Sequence, residues 1–246
     1  MITRWHSIAF ISLVLHDMVS ITFATKNQLD IHLTLNSCMY HHSLKANESL
    51  RRSFNNTEQI NFQTTSIPHV TLYLTEFQDG VQDEIIQMLG NLFENKSPIR
   101  ISSTELVING AYAMYGIENT AILKTLSDDI VLALYRYMEP DQVIPEWVYN
   151  LPEPTRSKKI RYVQEYGSPN VFDEFDPHVT VGYDEIVPSD ERRKVLEQDW
   201  GCLEELTLEV GVGIVSSFGT VIQEVATLPL RYNTIVFDPE VETVII

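Results

Sequence analysis

The sequence predicts an α+β fold in which antiparallel sheets and flanking helices form two lobes of a single domain. Three observations predict it. Strand-like and helix-like runs are interspersed along the chain rather than grouped. Asn109-Gly110 sits between two alternating runs, a strong hairpin signal that a doubly wound parallel sheet would not contain. The order strand, helix, strands then occurs a second time, with no flexible linker between the halves.

Taken in order, residues 1–24 read as a secretory leader: Arg4 precedes the apolar run IAFISLVL, and TFA at 22–24 offers a small residue before Thr25. His16 and Asp17 interrupt that run, so it is no membrane span, and no later segment approaches the required length. Residues 25–246 then form one domain. LDIHLTL (29–35) alternates like a strand. The polar stretch 36–65 reads as a long loop or short helix. HVTLYLTEF alternates again and ends at the turn signal Asp79-Gly80. Val81, Ile85, Ile86, Leu89, Leu92 and Phe93 recur at helical spacing. The hairpin IRISSTELVI and AYAMYGIE follows. Ile122, Leu123, Leu126, Ile130, Val131 and Leu134 mark a helix from about 119 to 138, stopped by Pro140. After the proline-containing IPEWVYNLPEPTR, the run KKIRYVQEYG reads as a strand, and a further strand contains DPHVTVGYD. Ser189 is placed to cap the helix SDERRKVLEQDW. LEELTLEVGVGIVSS, a turn at Gly219 and TVIQEVATLPL close the chain.

Composition excludes some functions. With 44% hydrophobic and 21% charged residues, the chain is that of a globular protein. A net charge of −17, with acids scattered rather than clustered, argues against a long nucleic acid as partner and against bulk calcium binding. A small nucleotide or short oligonucleotide held by a few local groups fits better. Cys38 and Cys202 fit one disulfide if the protein is exported, or two buried thiols. Asn47, Asn55 and Asn95 head glycosylation triplets, the last disfavoured by Pro98. CMYHH (Cys38, His41, His42) lacks a second ligand pair at metal-binding spacing, and neither a phosphate-cradling glycine loop nor a Gly-x-Ser-x-Gly elbow is present. No cofactor is expected.

The chemistry centres on a repeated Pro-His-Val-Thr. Residues two apart in a strand share a face, so His69 projects with Thr71 and His178 with Thr180. Two imidazoles and two hydroxyls converging on one volume suit a phosphodiester. One imidazole takes a proton from the nucleophile, the other protonates the leaving oxygen, and the hydroxyls hold the phosphate. His32-Leu-Thr34 is a third match, but it lacks the proline and precedes the repeat, so His32 reads as structural. Arg161 reads as a surface residue. Tyr73, Tyr115 and Phe175 are candidates for stacking a base. Tyr73, four residues past His69, should share its face; Tyr183, five past His178, should not unless that strand bulges.

With HVTL and HVTV in place, the sequence from about Leu29 to Leu230 resembles the 2H phosphoesterase superfamily, which includes RNA-ligase-like enzymes and cyclic nucleotide phosphodiesterases. The resemblance implies a bilobal fold whose two antiparallel sheets form a cleft lined by His69, Thr71, His178 and Thr180. It also implies metal-independent opening of 2′,3′-cyclic phosphates, or cleavage of 2′,5′-linked or similar small RNA phosphodiesters. The segment before the first motif and the connection around Trp147 are longer than in compact members, and the acidity and leader are atypical. The competing reading is an exported, acidic, non-enzymatic binding protein that keeps the fold. A third is an intracellular enzyme with an uncleaved N-terminus. Because the halves are pseudo-symmetric, the sequence does not say which histidine is acid and which is base.

Overall fold

Leu29, Ile31 and Leu33 point to one side of the first strand, and Asp30 and His32 to the other. The computed structural model describes residues 28–54, 59–197, 202 and 204–231. The leader at 1–24 and Asn55 lie outside them. In chain order the elements are β1 (Gln28–Thr34), α1 (Ser37–Phe54), β2 (His69–Glu76), α2 (Gln82–Phe93), β3 (Ile99–Asn109), β4 (Tyr112–Ile117), α3 (Ala121–Leu134), α4 (Glu146–Tyr149), α5 (Thr155–Tyr166), β5 (His178–Tyr183), α6 (Ser189–Leu196), β6 (Glu204–Thr207), β7 (Glu209–Val215) and β8 (Val221–Pro229). Among the described residues no helix is long and apolar enough to cross a membrane.

The strands form two four-stranded antiparallel sheets, ordered β2-β1-β7-β8 and β5-β4-β3-β6. This is the bilobal α+β architecture expected, with an exchange of hairpins. The β3–β4 hairpin of the first half joins the sheet of the second His strand, and the closing β7–β8 hairpin joins the sheet of the first. The first sheet curls until Ile67, just ahead of β2, bridges Val221 at the start of β8. α2 and α3 cover the apolar face of this sheet, and α1 and α6 pack on the second. One continuous core, including Ile31, Leu72, Phe93, Ile130, Val179 and Val212, joins the lobes.

Three local expectations are corrected. The stretch 36–65 contains an 18-residue helix, α1. Its buried stripe, Met39, Ser43, Ala46, Asn47 and Leu50, has helical spacing, but two polar members hide the periodicity. The carboxylate of Glu205 in β6 accepts the Asn36 and Met39 amides at the start of α1, satisfying donors that a helix start leaves open. The run KKIRYVQEYG lies largely in helix α5, not a strand. Lys159 and Val163 are its buried pair, four residues apart, and Gly167 at φ 74° closes it in the left-handed conformation. Ser189 is the first residue of α6 rather than its cap, which is Pro188 with no side-chain hydrogen bond. Instead α6 is anchored by buried Arg192, whose guanidinium donates to Gly110 and Ala111 carbonyls at 2.6 Å each. Cys38 and Cys202 form a disulfide, Cα atoms 5.8 Å apart, tying the first turn of α1 to the approach to β6.

Candidate active site

The motif strands β2 and β5 are each an edge of their sheet, and these edges lie against one another. His69 and His178 are each the first residue of their strand, directly after a proline. In each case the ring Nδ1 donates to the carbonyl two residues back: Ile67 at 2.7 Å for His69, Asp176 at 2.8 Å for His178. A carbonyl only accepts, so both rings carry a proton on Nδ1, and Nε2 is the ring nitrogen left over. Proline starts each strand where its missing N–H costs no ladder hydrogen bond. His69 is 7% exposed and His178 half-buried. Thr71 and Thr180 follow on the same faces, and Val70 and Val179 point into the core.

The two halves of the site differ in what lies behind them. Asp30 and His32, both fully buried, stand behind His69. Asp30 Oδ2 accepts the Thr71 hydroxyl at 2.7 Å and stands 3.4 Å from His69 Nε2. His32 Nδ1 donates to the Asp30 carbonyl at 3.1 Å, and its Nε2 donates to Glu224 Oε1 at 2.8 Å. The His32 and His69 rings meet edge-on, centroids 5.0 Å apart. Burial alone would lower the pKa of His32, but its hydrogen bonds and ion pairs with Asp30 and Glu224 outweigh this and raise it to about 9. Burial would raise the Asp30 carboxyl; the hydrogen bonds and charges of His32 and His69 hold it below its usual value instead. At His178 burial dominates and, with the charge of His69, pushes the imidazole below 6.5 against the opposing pull of Asp176 and Asp30. His32 is structural in that it is sealed from solvent, yet it belongs to the site's second layer. Asp30 and Glu224 carry no motif, and the pairing of β1 with β2 and of β7 with both β1 and β8 brings them there.

The three stacking candidates are corrected. Tyr73, Tyr115 and Phe175 are 1%, 3% and 6% exposed and belong to the core. The ladder between β1 and β2 shifts register between Ile31 and His32, so Thr71 pairs with His32 but Tyr73 with core-facing Ile31. That bulge turns Tyr73 away from the His69 face, and its hydroxyl donates to the Tyr166 carbonyl at 2.7 Å. Tyr115 pairs with Val179 on the core side and rests against His42. A second bulge works the other way. Thr180 pairs with Met114 but Tyr183 with Tyr112, so Tyr183 returns to the His178 face. Tyr112 and Tyr183 meet edge-on at 4.8 Å, and Phe218, from the β7–β8 turn of the other lobe, lies 4.9 Å from Tyr183. These half-buried rings form an aromatic group on the His178 side. The bulge is the one signal that could have found Tyr183.

Other residues resolve simply. Asn47 is buried, its amide donating to the Ile60 and Val181 carbonyls at 2.9 Å each, so that triplet is closed to a glycan. Cys38 is bonded to Cys202, and His42 packs on Tyr115. Among the described residues no group of three His, Cys, Asp or Glu side chains is placed to hold a metal. Arg161 is exposed on α5 and pairs with Glu165. A cavity of about 390 Å³, lined by Leu29, Phe77, Val81 and Ile214 among others, opens at the opposite end of β1 and β2 from His69.

No family model matches the sequence, and no curated protein does. Solved structures do. TT0787 of Thermus thermophilus is 12% identical, with 84% of this chain and 99% of that one covered and a TM-score of 0.49. E. coli LigT complexed with ATP is 10% identical, covering 83% and 98%, with a TM-score of 0.44. Usb1 of Kluyveromyces marxianus with uridine monophosphate is 12% identical, covering 83% and 99%, with a TM-score of 0.40. At these identities and scores the likeness bears on chain path, and on no residue's role.

Proposed function

We propose that the chain is a phosphodiesterase of the 2H type, acting on 2′,3′-cyclic phosphates or small RNA phosphodiesters through His69 and His178. One observation carries the reading. Two imidazoles on abutting edge strands hold the same tautomer by the same backbone hydrogen bond, leaving two Nε2 atoms for proton transfer. The surroundings divide the work. His178, burial keeping it neutral at neutral pH, takes the proton of the attacking hydroxyl or water on Nε2. His69, with a carboxylate beside Nε2, delivers the proton from that atom to the departing oxygen as the phosphorus–oxygen bond breaks. The Thr180 hydroxyl has no protein partner among the described residues and is free to donate to a non-bridging oxygen. The Thr71 hydroxyl donates its hydrogen bond to Asp30 and offers only lone pairs, so the two threonines are not equivalent. Tyr112, Tyr183 and Phe218 offer ring faces for a nucleobase. The disulfide supports an oxidising, exported setting.

The test is incubation with 2′,3′-cyclic nucleotides and 2′,5′- and 3′,5′-linked dinucleotides, chelator present. The wild type should turn over at least one, with a rate that falls in acid below pH 6.5 as His178 gains a proton. His69→Ala and His178→Ala should each lose about a hundredfold or more, and Thr180→Val about tenfold to a hundredfold. Inactivity of the wild type across the panel would favour the non-enzymatic binding protein.

A further inference from the structure

Behind His69 runs a row of ionisable groups that take no part in the two proton transfers. Glu224 on β8 holds His32 on β1, His32 Nδ1 bonds the backbone carbonyl of Asp30 and lies 3.7 Å from its carboxylate, and that carboxylate reaches both the Thr71 hydroxyl and His69 Nε2. Charges are rarely buried unless paired, and a row this long is costly to assemble. The fold makes room for it at a glycine. A Cβ on Gly211, the β7 residue opposite His32, would stand 2.3 Å from His32 Nε2 and 2.9 Å from Glu224 Oε2. The row alternates in sign: Glu224 negative, His32 positive, Asp30 negative. Without the buried His32 cation, two carboxylates would repel an anionic substrate; with it, a single compensated carboxylate can sit beside the acid. Among the described residues no such row stands behind His178, whose Nδ1 bonds the backbone carbonyl of Asp176.

We propose that Asp30, held in place by His32 and Glu224, is a positioning residue that orients the His69 ring and fixes the direction of its Nε2–H, so that the two otherwise matched histidines perform different halves of the reaction. This rests on the paired-histidine reading above and adds to it the group that breaks the symmetry. Asp30 is placed beside His69 rather than at the phosphorus. It acts through His69, by charge and by the direction it gives Nε2–H, and through Thr71, whose hydroxyl hydrogen bond it accepts. The third His-x-Thr lies on the neighbouring strand, where His32 pairs with Thr71 and Thr34 with His69.

A dependence on the leaving group separates this role from simple structural support. An alkoxide must be protonated as it departs; p-nitrophenolate leaves without help. Wild type, Asp30→Asn and Glu224→Gln are compared on whichever panel substrate the wild type cleaves fastest and on the matching nucleoside p-nitrophenyl phosphodiester, with His69→Ala and His178→Ala as references. Asp30→Asn should lower kcat on the alkoxide substrate about a hundredfold, and on the activated ester by less than about fivefold, with KM little changed. Glu224→Gln lies at the solvent end of the row, so it should fold even if the buried Asp30 variant does not. It should show the same bias at lower amplitude, about tenfold against about twofold. His69→Ala should show the bias and His178→Ala should not. Equal losses on both substrates in the two carboxylate variants, or turnover of the panel that does not extend to the activated ester, would overturn the role of Asp30 alone. A wild type inactive on the whole panel would remove the phosphodiesterase reading, and this inference with it.

Discussion

His32 holds a proton that a buried imidazole ordinarily gives up, because it lies between two carboxylates. Its pKa of about 9 in the folded chain stands above its usual 6.5, so its contribution to stability is whole below pH 6.5 and disappears as pH rises toward 9. The difference is worth on the order of 3 kcal/mol. Wild type should therefore lose stability to urea between pH 6.5 and 9.5, whereas His32→Gln should be weaker at pH 6.5 and flat across that window, the gap narrowing as pH rises; parallel curves would show that the ring is neutral. The sequence made His69, Thr71, His178 and Thr180 legible because strand alternation and a repeated proline are local signals. Asp30 and Glu224 were not legible, since nothing local distinguishes them from the chain's other acids. Only strand pairing across most of the sequence brings them to His69.

Strands and helices were legible where their periodicity is written in apolar residues, as in α2, α3 and the β3–β4 hairpin. They were lost where polar side chains are buried: Ser43 and Asn47 mask α1, and Lys159 masks α5. Two bulges reversed the expected directions of Tyr73 and Tyr183, because one extra residue in a strand moves every later side chain to the other face. Glycine in β7 answers a different constraint, the room His32 needs. Gly211→Ala should cost about 1–3 kcal/mol by urea denaturation, its new carbon overlapping the His32 ring. Gly90→Ala is the control: it lies within α2 with nothing within 4 Å, and should gain about 0.5–1 kcal/mol. A Gly211 variant as stable as the wild type would mean that the ring does not occupy that space.

The two-lobed α+β plan was legible as a whole, but the exchange of hairpins was not, because a repeat in sequence does not say which sheet each hairpin joins. The exchange gives the molecule its unity: α1 packs on the second sheet while β1 and β2 flank it in the first. The disulfide closes a loop of 164 residues around this arrangement, so opening it should cost about 2–5 kcal/mol in thermal or urea melts under reductant, and an unchanged midpoint would show that the bond adds no constraint. The order of assembly follows from the same exchange. While the chain is still emerging from the ribosome, β1 and β2 have no β7 beside them, and Glu224, on β8, has yet to be made. A nascent chain that has not yet reached β8 thus holds His69 and His178 without the contact between Glu224 and His32, and that part of the site is completed only after residue 224 has been added.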